Sequence, residues 1–168
     1  GQESLEPCDE APEVCGRRAF QVGIHAFEEG RYDTALQAFR RAQQIKPHPV
    51  ILFNVALAEA ETGLLVEAEQ HFDEVFRDPS TPAEKLDAAR RERDRVAALV
   101  ATVSVDREDA ELVVDDEPAG GSPPSVRVNP GPHRIQVSLG GRVVVDREVE
   151  LARGQVLQLA VATPEPEP

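Results

Sequence analysis

Apolar side chains recur at helical spacing from Phe20 to Val100, and alternate with polar ones from Ala101 onward. Phe20, Ile24 and Phe27 fall on one helix face, and Gly30 ends that run, as glycine commonly does at a helix C-terminus. The pattern predicts a first helix that begins between Glu13 and Cys15 and reaches about Glu29. A second spans about Tyr32 to Ile45; Lys46 closes it, and Pro47 and Pro49 forbid continuation. A third starts near Val50, carries Leu52, Phe53, Ala56, Leu57 and Ala60, and stops at Gly63. A fourth, about Val66 to Phe76, carries Ala68, Phe72 and Val75. Thr81 and Glu84 have the spacing of a capping box, and Pro82 suits the first position of a fifth helix running to about Val100.

These helices are one motif written twice. Gly30 and Gly63 are 33 positions apart, and so are Tyr32 and Leu65, Ala35 and Ala68, and Phe39 and Phe72. A helix pair repeated at this period signals a helical solenoid, because a lone pair cannot cover its own apolar face and neighbours must stack to bury it. The fifth helix, longer and more charged, reads as the terminal cap.

Beyond Ala101, Val103 and Val105 alternate with polar neighbours, and short apolar runs follow at 111–114, 126–128, 134–139, 142–149 and 156–161. Between them stand turn residues: Pro118 to Gly121, Pro130-Gly131-Pro132, Gly140-Gly141 and Gly154. Short strands punctuated in this way predict a small antiparallel β-sandwich. Pro130-Gly131 suits a type II turn and Gly140-Gly141 a two-residue hairpin.

The whole therefore reads as an α+β two-domain chain. An acidic leader occupies 1–15, a helical solenoid of about two repeats plus a capping helix 16–100, a β-sandwich 101–162, and a Pro/Glu linker or tail 163–168. The net charge of -13 argues against nucleic-acid binding and against adhesion to an anionic membrane surface. No apolar run approaches the roughly 20 residues of a membrane span, so membrane attachment would need a flanking segment. Cys8 and Cys15 suit a small disulfide loop and hence an oxidising compartment; two free thiols in a flexible leader are the alternative.

The helical part resembles the tetratricopeptide repeat family at Gly23, Gly30, Tyr32, Ala35, Phe39, Ala42 and Pro47, then at Ala56, Gly63, Ala68 and Phe72. The β part resembles the PEGA domain: a strand, Ala110, a strand ending in Asp115, then Gly121-Ser122-Pro123 and Pro130-Gly131-Pro132-His133. Asp115-Asp116 stands where that family has Asp-Gly. The pairing implies a bacterial envelope protein, since the PEGA module is usually an extracytoplasmic β-domain.

The first resemblance also implies a partner site on the face made by the first helix of each repeat. Carried over by position, it contains Phe20, Gln21, Ile24, Phe27, Phe53, Asn54, Leu57 and Glu61, with Arg90 and Arg93 facing it from the capping helix. An apolar groove with a basic end suits a peptide with acidic flanks. Core residues covered by other parts of the chain would show the same pattern. The family's clamp for a terminal carboxylate has Lys and Asn where this chain has Phe20 and Ile24, so that activity is not implied.

His25, His48, His71 and His133 are scattered and read as surface or turn residues; no metal site and no cofactor are expected. Asp106, Glu108, Asp109 and Glu111 lack the spacing of a calcium loop and read as a solvated acidic edge. No nucleophile has an evident base partner, so no catalytic residue is assigned. The expected function is a non-enzymatic protein–protein adaptor or scaffold in the envelope, periplasmic or otherwise extracytoplasmic, with a protein or peptide partner. A sensory or anchoring ectodomain of a longer membrane protein, and a carbohydrate- or peptidoglycan-binding module, are the alternatives.

Overall fold

The computed structural model describes residues 7–165. The expectations for the start of the leader and the end of the tail fall, over 1–6 and 166–168, outside the described residues. The chain divides into two compact units, one ending at Ala97 and one beginning at Ala98.

The first unit holds helices α1 (Pro12–Glu28), α2 (Tyr32–Ile45), α3 (Pro49–Glu61), α4 (Leu65–Arg77) and α5 (Ala83–Ala97), each packed on the next. Proline opens α1 and α3, where its missing N–H costs nothing. The repeat extends to the backbone. Gly30 (φ 76°) and Gly63 (φ 86°) take the left-handed conformation that glycine tolerates best. The Arg31 N–H donates to the Ala26 carbonyl and the Leu64 N–H to the Glu59 carbonyl, both at 2.9 Å. These are the same helix-ending bond, 33 residues apart.

Packing repeats too. Phe20 lies 5.7 Å from Phe39 between ring centroids, and Phe53 lies 5.5 Å from Phe72. Phe39 and Phe72 are wholly buried, as are Ala35 and Ala68 beside them. Gly23 lets the Phe39 ring lie against α1: a β-carbon there would stand 2.5 Å from two ring atoms.

One expectation fails at α5. The helix stops at Ala97 rather than Val100. The Leu99 carbonyl accepts instead from the Gly154 N–H at 2.9 Å, and Ala101 pairs opposite Val128. The Thr81 hydroxyl donates to the Val75 carbonyl at 2.7 Å, tying the start of α5 to the end of α4.

The second unit holds seven strands among the described residues: β1 (Ala101–Val105), β2 (Ala110–Val114), β3 (Glu117–Pro118), β4 (Ser125–Val128), β5 (Gly131–Leu139), β6 (Arg142–Leu151) and β7 (Val156–Leu159). They form two sheets, ordered β4-β1-β7 and β3-β2-β5-β6. Val103, Val105, Leu112, Val114, Ile135, Val137 and Leu151 make one core between them. The strand faces alternate as the sequence pattern requires, clearest in β1.

The expected all-antiparallel arrangement needs one correction, since β7 runs parallel to β1. After the long antiparallel pair β5–β6, the chain leaves that sheet and enters the other alongside β1 in the same direction. Gly140 and Gly141 both have positive φ and join Leu139 to its partner Arg142 in the expected tight hairpin. A second hairpin was not anticipated: Asp115 (φ 50°) and Asp116 (φ 67°) join Val114 to its partner Glu117. Gly131 has positive φ, yet it lies within β5 opposite Leu151 and opens the strand rather than a type II turn.

Candidate functional site

The residues assigned to a partner face are only partly brought together. Ile24 and Phe27 pack, half-buried, against the cluster formed by Ala26, Leu36, Phe39 and Val55. Phe53 is buried on Phe72, and Leu57 is half-buried. Asn54 turns back on its own helix, its Nδ2 donating to the Val50 carbonyl at 2.8 Å. Gln21 and Glu61 are exposed.

Arg90 and Arg93 do not face α3. Their guanidinium groups lie 5.3 and 5.4 Å from the Phe76 ring centroid on α4, and Arg93 Nη1 donates to Asp73 at 3.0 Å. Lys85 is the α5 cation directed at α3, with its Nζ 5.0 Å from the Phe53 ring centroid. The cause lies in α5 itself. Only Ala89 and Val96 of this helix are buried, so its apolar stripe is too thin to show from sequence which side meets α3.

What the helices do build is a cleft of about 320 Å³ where the first turns of α1 approach the start of α3. Its wall is Phe20, Val50 and Ile51, with Gly16 at the back and Glu13, Arg17, Lys46 and His48 around the mouth. Gly16 matters here because it leaves the wall of α1 flat; the nearest atoms to a β-carbon there would be Ile45 Cγ2 at 3.6 Å and Lys46 Cβ at 3.7 Å. His48 is fixed by capping α3, its Nδ1 accepting from the Val50 N–H at 3.1 Å.

Of the residues expected at a site, only Phe20 lines this cleft. Arg17, Val50 and Ile51 were missed. The signal for Arg17 was its place three residues before Phe20, on the same helix face. The signal for Val50 and Ile51 was the unbroken run Val50-Ile51-Leu52-Phe53, more apolar surface than one buried stripe needs.

The charge at the mouth is uneven. Lys46 Nζ pairs with Glu13 at 3.5 Å. Glu13 is held below the usual carboxylate range, first by its bond to backbone at the start of α1 and then by Lys46. Arg17 is exposed beside it, and its charge also helps to hold Glu13 ionised. An apolar wall with an exposed guanidinium beside it can hold an aliphatic or aromatic side chain that has a carboxylate near it. The disulfide between Cys8 and Cys15 closes the turn leading into this part of α1.

Elsewhere, His71 and His133 are not bare surface groups. His71 Nδ1 lies 2.6 Å from the buried carboxylate of Glu59. His133 bridges Asp115 and the Asn129 carbonyl. Asp115 also accepts the Arg134 N–H at 2.8 Å, which pins the β2–β3 hairpin to β5. Partial burial opposes charge on Asp115, but the Arg134 N–H and then His133 outweigh it and hold the carboxyl below its usual range. Asp106, Glu108, Asp109 and Glu111 are exposed, and Arg107 pairs with Asp109 at 2.6 Å. Among the described residues no group of three metal-ligating side chains converges, and no helix is long and apolar enough to cross a membrane.

A disulfide is characteristic of oxidising compartments and fits an extracytoplasmic chain. No curated protein matches the sequence. Over residues 99–165, from just before β1 to the last described residue, the chain is similar to the PEGA domain, whose family model matches that stretch.

Proposed function

We propose that this protein is a non-enzymatic adaptor of the bacterial cell envelope. Its helical unit is a tetratricopeptide-like array that captures a protein or peptide partner through the α1–α3 face, and its β unit is a PEGA-type module. The cleft lined by Phe20, Val50 and Ile51 carries the reading. It places apolar surface in a concavity, with the exposed Arg17 among its lining residues. Such a site recognises a short segment with an apolar anchor and an acidic neighbour. The disulfide and the PEGA match support a periplasmic or otherwise extracytoplasmic setting.

The test is capture of partners from an envelope extract by wild type, by Arg17→Glu and by Val50→Lys. Arg17 is exposed, so its replacement should leave stability within about 0.5 kcal/mol. Specific capture should fall in both variants while the helical signal at the assay temperature is unchanged. Equal capture by all three proteins would remove the cleft from the function.

A further inference from the structure

Overlaying the two repeats at their 33-residue offset sets Glu59 on Ala26 and His71 on Ala38. In the first repeat those alanines are 0% and 1% exposed, as plain core. In the second repeat the same two positions hold a carboxylate that is 1% exposed and an imidazole that is 34% exposed. A charged group has therefore been placed in a slot that the same fold fills elsewhere with a methyl. Burying a carboxylate is costly unless an opposite charge and hydrogen bonds accompany it.

Glu59 has few such partners. Its Oε1 meets His71 Nδ1 at 2.6 Å, from α4. Its Oε2 is buried and has no hydrogen-bond partner among the described residues; the Arg40 guanidinium, from α2, stands 3.6 Å away, beyond hydrogen-bond length. The α5 cation directed at α3, Lys85, lies over Phe53 instead. Among the described residues His71 is thus the hydrogen-bonding partner of a carboxylate that Arg40 meets only as a longer ion pair, and its own charge changes near neutral pH.

We propose that the Glu59–His71 pair is a proton-dependent clamp: protonated His71 fastens α4 onto the buried carboxylate of α3, and release of the proton loosens the second repeat. The neighbouring charges agree with this direction. His71 is raised above the ordinary imidazole range first by its hydrogen bond to Glu59; burial opposes, the charges of Glu59 and Glu74 assist, and Arg40 opposes. A group raised in the folded state contributes its full stabilisation below the unfolded value, near 6.5, and loses it as the pH rises through the folded value. The clamp is therefore tightest in mildly acidic conditions and loosens as the pH rises through the raised value of His71. The clamp stands on residues outside the α1–α3 cleft and is independent of what that cleft binds.

The test is urea denaturation of the full chain, followed at 222 nm from about pH 5.5 to about pH 8.5, across the imidazole range. Wild type is compared with His71→Gln, which keeps a hydrogen-bonding group but cannot titrate, and with Glu59→Ala/His71→Ala, which restores the pair used by the first repeat. The wild-type midpoint should fall across the window. The His71→Gln profile should start lower at acidic pH and approach wild type at alkaline pH, and the double-alanine profile should be flatter than wild type. Parallel profiles for wild type and His71→Gln would overturn the proposal. Titration of the His71 ring by NMR in wild-type protein needs no variant: a midpoint above about 6.5 is expected, and one at or below it would overturn the proposal as well.

Discussion

Two glycines in α1 should respond to the same substitution with opposite signs. Gly16 and Gly23 both lie inside the helix, where replacing glycine by alanine is worth about 1 kcal/mol in backbone terms. At Gly16 the new β-carbon meets nothing closer than Ile45 Cγ2 at 3.6 Å, an ordinary contact, so Gly16→Ala should stabilise the helical unit by about 1 kcal/mol. At Gly23 the new β-carbon stands 2.5 Å from Cδ1 and Cε1 of Phe39 and 3.1 Å from Cγ. Relief requires the ring to retreat by about 1 Å, the difference from normal carbon–carbon contact. Phe39 is fully buried and has the Phe20 ring beside it, so retreat is obstructed.

Overpacking of this kind costs about 1–3 kcal/mol, and three ring atoms in conflict put it near the upper end. After the backbone gain, Gly23→Ala should lose about 2 kcal/mol, leaving the two variants about 3 kcal/mol apart. Urea denaturation followed at 222 nm reads the helical unit directly. Phe39→Leu introduced together with Gly23→Ala should recover part of the loss, giving a favourable coupling in the double-mutant cycle. If both alanine variants move the midpoint in the same direction, or Gly23→Ala is neutral, the close approach of α1 and α2 is wrong.

Three further outcomes are expected. Replacing Cys8 and Cys15 by alanine opens a loop with a sequence separation of 7 and should cost at most about 2.5 kcal/mol on the chain-entropy model; a loss below about 0.5 kcal/mol would show that the bridge closes a turn already formed. Asp116→Gly should stabilise the β unit by up to about 1 kcal/mol, because Asp116 sits at φ 67° in a hairpin turn that favours Asp-Gly; thermal unfolding read on β-unit methyl resonances decides it, and a loss would contradict that turn. Arg90→Glu with Arg93→Glu, harmless if both faced an open groove, should instead cost about 1–3 kcal/mol, since it removes two cations from the Phe76 ring and the Asp73 pair; an unchanged urea midpoint would return both arginines to solvent.

The helical hairpins were legible because their determinants are local. Gly30 and Gly63 end their helices by backbone conformation alone, and the apolar spacing around Phe39 and Phe72 places those rings inward. Observed helix ends lie within a residue or two of those expected through α4. What escaped notice depends on contacts distant in sequence. Nothing in Val156–Leu159 tells that the strand pairs parallel to β1, and β3 is too short to show an alternating pattern. Asp115-Asp116 departs from the Asp-Gly that marks such a turn in sequence, although two aspartates can occupy it. Glu59 follows Leu57 and Ala58 in a helix that is apolar on nearly every side, so a glutamate there reads as the solvent face. Only the register of one repeat on the other shows that its counterpart is the buried Ala26. The cleft was missed for a related reason: Arg17 and Val50 are far apart in sequence, and only the stacking of α1, α2 and α3 brings them to one mouth.

Site-specific photo-cross-linking in intact cells tests the proposed partner capture by the helical unit most directly. A photoreactive residue at Ile51, on the cleft wall, is compared with one at Gln37, an exposed position of α2 outside the cleft. A discrete cross-linked protein is expected from position 51, absent from position 37, and lost again when Arg17→Glu is added. Cross-links of equal yield from both positions, or none from position 51 while position 143 on the exposed Val143 of β6 gives one, would contradict capture through the cleft.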